Sequence, residues 1–267
     1  MNSLAWITDP HLNFLDQDAL NIFCTGLAEQ KAEAFLITGD IGEAPNVAVY
    51  LNILDSQLNR SIYFVLGNHD FYRGSISSVR AKIKDLCLAC PNLHWLPGSG
   101  VIALTPQTCL IGHDGWADGR FGNYLRSTVQ LNDWVLIEEL ADMTRSDRLD
   151  KLHELGDEAA THFRAVLPEA LDRFQHVIVA IHMPPFIEGC WYKGKICGRE
   201  WLPHLTCKSA GEVLLEMMKS RPDKQMTVYC GHTHGEGDAQ ILPNLRVITG
   251  GAEYRAPKLQ RLISLEG

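Results

Sequence analysis

Five short runs of strand-forming residues in this sequence each end on side chains that bind metals or transfer protons. The candidate metal ligands among them are Asp9, His11, Asp40, Asn68, His182, His232 and His234. Carboxylate, amide and imidazole ligands without a thiolate suit borderline divalent metals. Seven such ligands are enough for two ions when one carboxylate bridges them. The residue types therefore indicate a centre for two metal ions.

Each of these polar clusters follows a run that reads as a buried β-strand. The runs cover residues 4–8, 34–38, 61–65, 177–181 and 226–230. In open α/β sheets, ligands bind beyond the carboxyl ends of the strands. A single polar strand end is explained equally well by turn chemistry, since Asn and Asp favour turns. Five such ends in one chain favour a shared site.

Helices are expected between the first three strands, where apolar residues recur at helical spacing. One lies between Asp9 and Asp40, and another lies between Asp40 and Asn68. Right-handed crossovers make these strands parallel, with all their polar ends at one edge of the sheet. Residues about thirty positions apart can therefore converge.

A second sheet is expected from the shorter strands that follow Cys90. The runs at 94–96, 101–104 and 108–111 look antiparallel, and Pro and Gly residues separate them. The final strands of this sheet are expected at 240–242 and 245–249.

Two segments between these strands are candidates for covering the site. Residues 115–150 read as a small helical cap beside the active-site edge. The helix that follows keeps one apolar face as far as Phe174, and Pro168 is expected to kink or restart it. The loop 186–207 leaves the site directly from His182. It is a candidate lid, with a solvated loop pinned by its aromatic residues as the alternative.

The order of the motifs resembles that of the calcineurin-like metallophosphoesterase superfamily. The motifs are D-x-H, G-D, G-N-H-D, H and G-H-x-H, and they run from Asp9 to His234. The resemblance implies an α/β fold, a four-layer α/β/β/α sandwich of two mixed sheets. The order of strands and helices supports the layers independently. We expect a single domain over residues 1–267.

The resemblance also implies how two divalent ions, manganese, iron or zinc, would be held. Asp9, His11 and His234 would bind the first. The second would be bound by Asn68, His182 and His232, with Asp40 bridging both. A hydroxide between the ions would attack phosphorus in line with the leaving group.

His69 and Asp70 are the candidate catalytic residues that are not metal ligands. The resemblance places His69 over the leaving group, where a protonated imidazole would donate to the departing oxygen or to the phosphoryl oxygens. Asp70 would orient this imidazole and favour its charged form.

Four further residues are candidates for binding the substrate. Asp118 and Arg120 lie in the loop that follows Trp116, and Trp191 and Lys193 lie in the candidate lid. His113 is another side chain that could approach the site together with the first pair.

The motifs favour a small-molecule phosphodiesterase. Asp40 and His69 lack the flanking residues of the Ser/Thr protein-phosphatase branch, and the G-N-H-D and G-H-T-H forms look closer to cyclic-nucleotide-phosphodiesterase-like and nuclease-like branches. A phosphomonoesterase is the first alternative and a nuclease the second. A non-catalytic scaffold is a third reading, which the intact His69 and ligand set disfavour.

Length and charge agree with a small phosphorylated substrate. The chain has 267 residues and a formal net charge of −8, which disfavours binding to long nucleic acid. We expect no membrane-spanning segment and, because Asp9 already belongs to the site, no cleavable signal peptide. The eight cysteines form no disulfide framework, and a cytoplasmic location with reduced thiols is expected.

Overall fold

The first of two large β-sheets carries the amino-terminal ligand motifs. The computed structural model describes residues 1–265. The sheet contains β1 (Ser3–Ile7), β2 (Ala34–Thr38), β3 (Ile62–Val65), β4 (Leu93–Trp95) and β13 (Arg261–Ser264). Its order is β13-β1-β2-β3-β4. The strands β1 to β4 are parallel, and β13 runs antiparallel to β1. This sheet is therefore mixed, with the ends of β1, β2 and β3 at one edge.

The second sheet carries the histidine motifs of the carboxyl-terminal half. It contains β5 (Ile102–Ala103), β6 (Thr108–His113), β7 (His176–Ile181), β10 (Gln225–Cys230), β11 (Gly237–Leu242) and β12 (Leu245–Thr249). Its order is β11-β12-β10-β7-β6-β5, with parallel pairing from β12 through β6. Two short strands, β8 (Trp191–Tyr192) and β9 (Lys195–Ile196), form a separate hairpin.

Helices cover the outer faces of both sheets. They are α1 (Gln17–Ala28), α2 (Val47–Leu58), α3 (Ile76–Ala89), α5 (Arg145–Arg173) and α7 (Lys208–Ser220), whereas the single-turn helices α4 (Asp133–Leu136) and α6 (Leu202–Leu205) lie in connecting segments. Buried residues of α1, α2 and α3 pack on the first sheet. Those of α5 and α7 pack on the second.

Strand alternation divides the apolar residues among three cores. In β1, Ala5 and Ile7 face the helices, whereas Leu4 and Trp6 face the second sheet. On the opposite sheet, Ile178 of β7 belongs to the same central core as Trp6. Side chains alternate between faces because a strand has a period of two. The expected four-layer α/β/β/α sandwich of two mixed sheets is confirmed.

One expectation about a strand is wrong, and the restart expected in one helix does not occur. The strand expected at 94–96 is β4, which pairs in parallel with β3 in the first sheet, since α3 returns the chain to that sheet's edge. The helix α5 continues through Pro168. Phe163, Leu167 and Ala170 around the proline are fully buried, so packing offsets the hydrogen bond that proline cannot donate.

The segment 115–150 is mostly irregular rather than a helical cap. It contains the single-turn helix α4 and the first residues of α5. Glu139 ties the segment to α3, because its carboxylate accepts hydrogen bonds from the N–H groups of Ile76 and Ser77 at 2.8 and 3.0 Å. Within residues 1–265, no helix is long and apolar enough to span a bilayer.

Candidate metal centre

The six charged or imidazole ligands predicted from the sequence converge in two overlapping groups. Asp9, His11, Asp40 and His234 form the first, and Asp40 with His182 and His232 forms the second; in each group the ligand atoms lie within 4.8 Å of one another. Asp40 belongs to both groups, as a bridging ligand must. The donor set contains only oxygen and imidazole nitrogen, so it fits two borderline divalent ions.

The backbone at these ligands is unusual. Asp9, His11, Asp40, His232 and His234 all have positive φ, between 42° and 69°. Residues other than glycine rarely adopt this left-handed conformation, and such conformations concentrate at functional sites. The strand ends are thus shaped to point these side chains at one another.

Glycines within the motifs allow the ligands to approach the backbone. A Cβ atom on Gly67 would lie 2.1 Å from Oδ1 of Asp40, and one on Gly231 would lie 2.1 Å from Oδ2 of Asp9. Both contacts are far shorter than van der Waals distance. The glycines of the G-N-H-D and G-H-x-H motifs are therefore required by close packing against the carboxylates.

The first group brings imidazole nitrogens together. Nε2 of His11 lies 3.0 Å from Nε2 of His234. Nε2 of His234 also lies 3.5 Å from a carboxylate oxygen of Asp9, and Nε2 of His11 lies 3.8 Å from one of Asp40. Two imidazole nitrogens and two carboxylates around one point suit a shared cation.

Hydrogen bonds fix the ring orientation in the second group. His182 can donate from Nδ1 to the carbonyl of Thr38 at 2.8 Å, which leaves Nε2 facing Oδ1 of Asn68 at 3.2 Å and Asp40 at 3.4 Å. His232 can donate from Nε2 to the carbonyl of His204 at 3.3 Å, which frees Nδ1. Backbone carbonyls orient metal-binding histidines in this way.

The charges of the site suit cation binding. Burial lowers the pKa of His11 and of His232 to about 3, so both imidazoles are neutral, as metal binding requires. Burial favours the neutral acid of Asp40, but the neighbouring His182 and His69 hold its pKa well below the usual value. Burial opposes charge on His182, yet Asp40 and Asp9 raise its pKa to about 10. A cation bound here would replace that proton.

Asp133 is a buried residue of the site that the sequence analysis missed. The side-chain amide of Asn68 donates to its Oδ1 at 2.9 Å, and the hydroxyl of Tyr72 donates to the same atom at 2.6 Å. These bonds orient the amide so that Oδ1 of Asn68 faces His182. No local pattern marks Asp133, because the helix α4 that it begins is a single turn in an otherwise irregular segment.

Asp114 is a second missed residue, and it joins the two sheets beneath the site. Its Oδ1 accepts hydrogen bonds from the N–H of Leu66 at 2.8 Å and from the indole of Trp95 at 2.9 Å. Its carbonyl accepts from the N–H of His182 at 3.1 Å. The only signal in the sequence is its position three residues after the strand-like run at 108–111.

His69 lies at the site, outside both groups of ligand atoms. Its backbone N–H donates to Oδ1 of Asp40 at 2.9 Å. The ring stacks on Tyr72 with centroids 4.3 Å apart and lies 4.6 Å from the ring of His11. Its Nδ1 has no hydrogen-bond partner within residues 1–265. That nitrogen is buried, so the other ring nitrogen, Nε2, is the one available to a ligand.

Asp70 does not orient His69, contrary to the expectation. Its Oδ1 accepts from the N–H groups of Ile41 and Gly42 at 2.9 and 2.8 Å, and its Oδ2 accepts from Gly67 at 2.8 Å. The carboxylate is fully buried and its bonds join the loops after β2 and β3. Asp70 thus positions the backbone that carries Asp40 and His69.

A cavity of about 650 Å³ opens onto the ligands. Its lining comes from the metal-binding loops, from the irregular segment before α5 and from the loop 186–207. Outside the metal ligands, its side chains include His69, Tyr72, Gln130, Leu131, Asn132, Asp133, Tyr192, Lys193, Lys195, Trp201, Thr233 and Tyr254.

Of the four candidate substrate-binding residues, only Lys193 lines this cavity. Trp191 lies at the base of the same hairpin, where its indole donates to the carbonyl of Glu188 at 2.6 Å. Asp118 accepts from the N–H of Ser209 at 2.8 Å and pairs with Arg120. Both residues of this pair stabilise the junction of α5 and α7, so the expectation that they reach the site is wrong.

His113 is also away from the site. It is buried between Arg80 of α3 and His162 of α5, and Gly115 donates its N–H to Nδ1 at 3.1 Å.

Comparison with known proteins gives one family. Residues 3–236 match the model of the calcineurin-like phosphoesterase family. A search of curated protein sequences finds no match.

Three solved structures illustrate the likeness of this fold to known proteins. The phosphopantetheinyl hydrolase of Mycobacterium tuberculosis superimposes with a TM-score of 0.68 at 13% identity, over 99% of this chain and 95% of the other. A dimetal phosphatase from Danio rerio gives 0.60 at 14% identity, over 96% and 89%. A 5′-nucleotidase from Candida albicans gives 0.52 at 12% identity, over 98% of this chain and 51% of the other. At these identities, the likeness establishes the fold.

Proposed function

Because the chain belongs to the calcineurin-like phosphoesterase family, and is a phosphoesterase that depends on a dinuclear metal centre, we propose that it hydrolyses small phosphodiesters. Bound ions supply Lewis acidity and an activated water for attack at phosphorus. In this proposal one ion is held by Asp9, His11, Asp40 and His234, and the other by Asp40, Asn68, His182 and His232.

The residues that line the cavity favour a phosphodiester over a phosphomonoester as the substrate. A phosphomonoester brings a charge of about −1.5 to −2 at pH 7, whereas a diester brings a single charge. No arginine lines the cavity within residues 1–265, and its two lysines, Lys193 and Lys195, lie on the β8–β9 hairpin rather than on the metal-binding loops. A singly charged ester needs less compensation from the protein. The space beside the ligands also accommodates a second esterified group.

His69 has the role of proton donor in this proposal. Its ring lines the cavity, where Nε2 rather than the buried Nδ1 is the nitrogen that a substrate can reach. An imidazole in this position can donate to the departing oxygen, a contribution of about 10²- to 10⁴-fold in rate.

Two segments would enclose the substrate. Gln130, Leu131 and Asn132 of the 115–150 insertion line one part of the cavity, and the hairpin of the 186–207 loop lines another. This placement supports the idea of a lid.

All eight cysteines are free, which supports a reducing compartment such as the cytoplasm.

Hydrolysis of bis-p-nitrophenyl phosphate and of p-nitrophenyl phosphate, with manganese and with a chelator, tests the proposal. The His69→Ala variant serves as the blank. We expect chelator-sensitive turnover with the diester preferred. A preference for the monoester would establish the alternative, a phosphatase. If protein that holds two metals hydrolyses neither substrate, activity on simple aryl esters is contradicted. If the protein hydrolyses neither substrate and binds no metal, a non-catalytic scaffold is favoured.

A further inference from the structure

The β8–β9 hairpin brings cations and aromatic rings to the cavity. Tyr192, Lys193 and Lys195 of the hairpin and Trp201 beyond it line the same cavity as His69. Apart from the histidines, these two lysines are the cationic side chains of the lining within residues 1–265. Neither forms an ion pair with a carboxylate of the described chain. The lysines are thus available to an anion that enters the cavity.

The turn of the hairpin holds Lys193 in a fixed, uncommon conformation. Tyr192 pairs with Lys195, and the two residues between them have φ values of 49° for Lys193 and 74° for Gly194. Two left-handed residues in a two-residue loop form a type I′ turn, in which Asn or Gly usually occupies the first position. Lysine there is strained, and such strain concentrates at ligand-binding positions.

The base of the hairpin packs directly on the loop that follows His234. A Cβ atom on Gly235 would lie 2.1 Å from the carbonyl oxygen of Trp191, and one on Gly237 would lie 2.1 Å from its indole. The antiparallel pairing continues below Trp191, where the N–H of Cys197 donates to the carbonyl of Cys190 at 2.8 Å. The position of the lysines relative to the metal ligands is therefore set by packing.

Two rings beside the lysines leave much of their surface exposed. Tyr192 is 49% exposed and Trp201 is 47% exposed, and both border the cavity. Exposed aromatic surface next to a binding site gains stability when a ligand ring covers it. Lysine and aromatic side chains together match a ligand that combines a flat ring with a negative charge.

We propose that this hairpin is a specificity site for a second anionic group. The substrate is then a phosphoester in which one group on the phosphorus carries an aromatic ring and a further carboxylate or phosphate. The ring packs on Tyr192 and Trp201, and the anion pairs with Lys193 and Lys195. The inference rests on the proposed function and names the substrate class of the same site.

Three p-nitrophenyl phosphodiesters with a common leaving group test the inference. Their second groups are phenyl, 4-carboxyphenyl and 5-carboxypentyl. We expect kcat/KM to be highest for the 4-carboxyphenyl ester, by about tenfold over the phenyl ester, since an exposed ion pair contributes about 2- to 5-fold for each lysine. The double variant Lys193→Gln/Lys195→Gln should reduce this ratio to below twofold. Added salt should reduce it in the native protein.

Matched controls separate charge at the hairpin from charge elsewhere. Lys84→Gln, at an exposed position of α3 outside the cavity, should keep the native ratio of the two esters. Trp201→Leu should lower the advantage of the 4-carboxyphenyl over the 5-carboxypentyl ester. Equal rates for the phenyl and 4-carboxyphenyl esters in native protein would overturn the inference. So would an equal loss on both esters in the double variant, because the lysines would then contact the scissile phosphate.

Monoesters distinguish failure of the inference from failure of the proposed function. Phosphate release is measured from phenyl phosphate and 4-carboxyphenyl phosphate with the same variants. A lysine-dependent preference among monoesters, with no turnover of diesters, would contradict the diesterase proposal and support the anion site. Turnover of diesters without a lysine-dependent preference would support the diesterase proposal and contradict the anion site.

Discussion

The side-chain amide of Asn68 donates a hydrogen bond to the carboxylate of Asp133 across 2.9 Å, although 65 positions separate the two residues. The bond fixes which end of the amide faces the metal centre, so that Oδ1 lies toward His182. Asp133 is a positioning residue rather than a ligand, since it acts through Asn68.

Replacing Asp133 with leucine should weaken binding of the metal at the His182 group. Without the acceptor, the amide of Asn68 is free to rotate, and loss of such a supporting partner typically costs about 10- to 100-fold in metal affinity. Competition with a chromophoric chelator measures this affinity. Asp133→Asn should restore most of it, because the asparagine oxygen still accepts from Asn68. If both variants lost affinity equally, the negative charge of Asp133 and not the orientation of Asn68 would be the cause.

Asp40 is the one carboxylate that belongs to both groups of ligand atoms. Asp40→Asn should therefore lower the content of both metals, measured by mass spectrometry of the purified protein. Asp118→Asn is the matched control, since Asp118 is equally buried but bonds to the backbone of α7. A metal-replete Asp40→Asn protein would contradict the bridging assignment.

The His69→Ala variant should lose turnover but keep its bound metals. Its ring lies at the site but outside both ligand groups, so the variant should keep two metals. Turnover should fall by about 10²- to 10⁴-fold, the usual contribution of a general acid. Metal content and kcat are measured on the same preparation, with His153→Ala of α5 as the control. Loss of metal in step with activity would show that His69 acts on the centre itself.

The sequence was sufficient to predict that the strand ends converge. Asp9, Asp40 and His182 each follow an apolar run, and parallel strands joined by crossovers must bring such ends to one edge. The fold follows from the same local patterns, because helix and strand periodicities assign each element to a layer. These features were predictable because each depends on a short stretch of chain.

Features that depend on distant contacts were not predictable. Nothing local to the three residues of β4 assigns them to a sheet, whereas the return of the chain through α3 places β4 at the edge of the first sheet. Asp133 reaches Asn68 from the single-turn helix α4, which is too short to show a helical periodicity. Asp118 and Arg120 lie in a loop that was expected to approach the site. Their partners, Ser209 and Asp157, are far away in the sequence. Tertiary packing decided each of these cases.

Buried His113 should make the stability of the protein depend on pH. Burial first, then the charge of Arg80 and of His162, lower its pKa to about 3, while Glu158 opposes the shift at 3.9 Å. In the unfolded chain the pKa of His113 has its ordinary value of about 6.5, so the unfolded chain binds a proton at pH values where the folded chain does not. The stabilisation is complete above pH 6.5 and is lost progressively as the pH falls toward 3.

Urea unfolding of native protein and of His113→Asn at pH 8 and pH 5 measures this effect. Asparagine is uncharged and its oxygen can still accept the N–H of Gly115, which donates to Nδ1 of His113 at 3.1 Å. From the linkage relation, His113 should contribute a loss of about 2 kcal/mol in the free energy of unfolding between the two pH values. The variant should lack that part of the loss, while His162, whose pKa burial also lowers, continues to contribute in both proteins. An identical pH dependence for the two proteins would mean that His113 takes up its proton in the folded state.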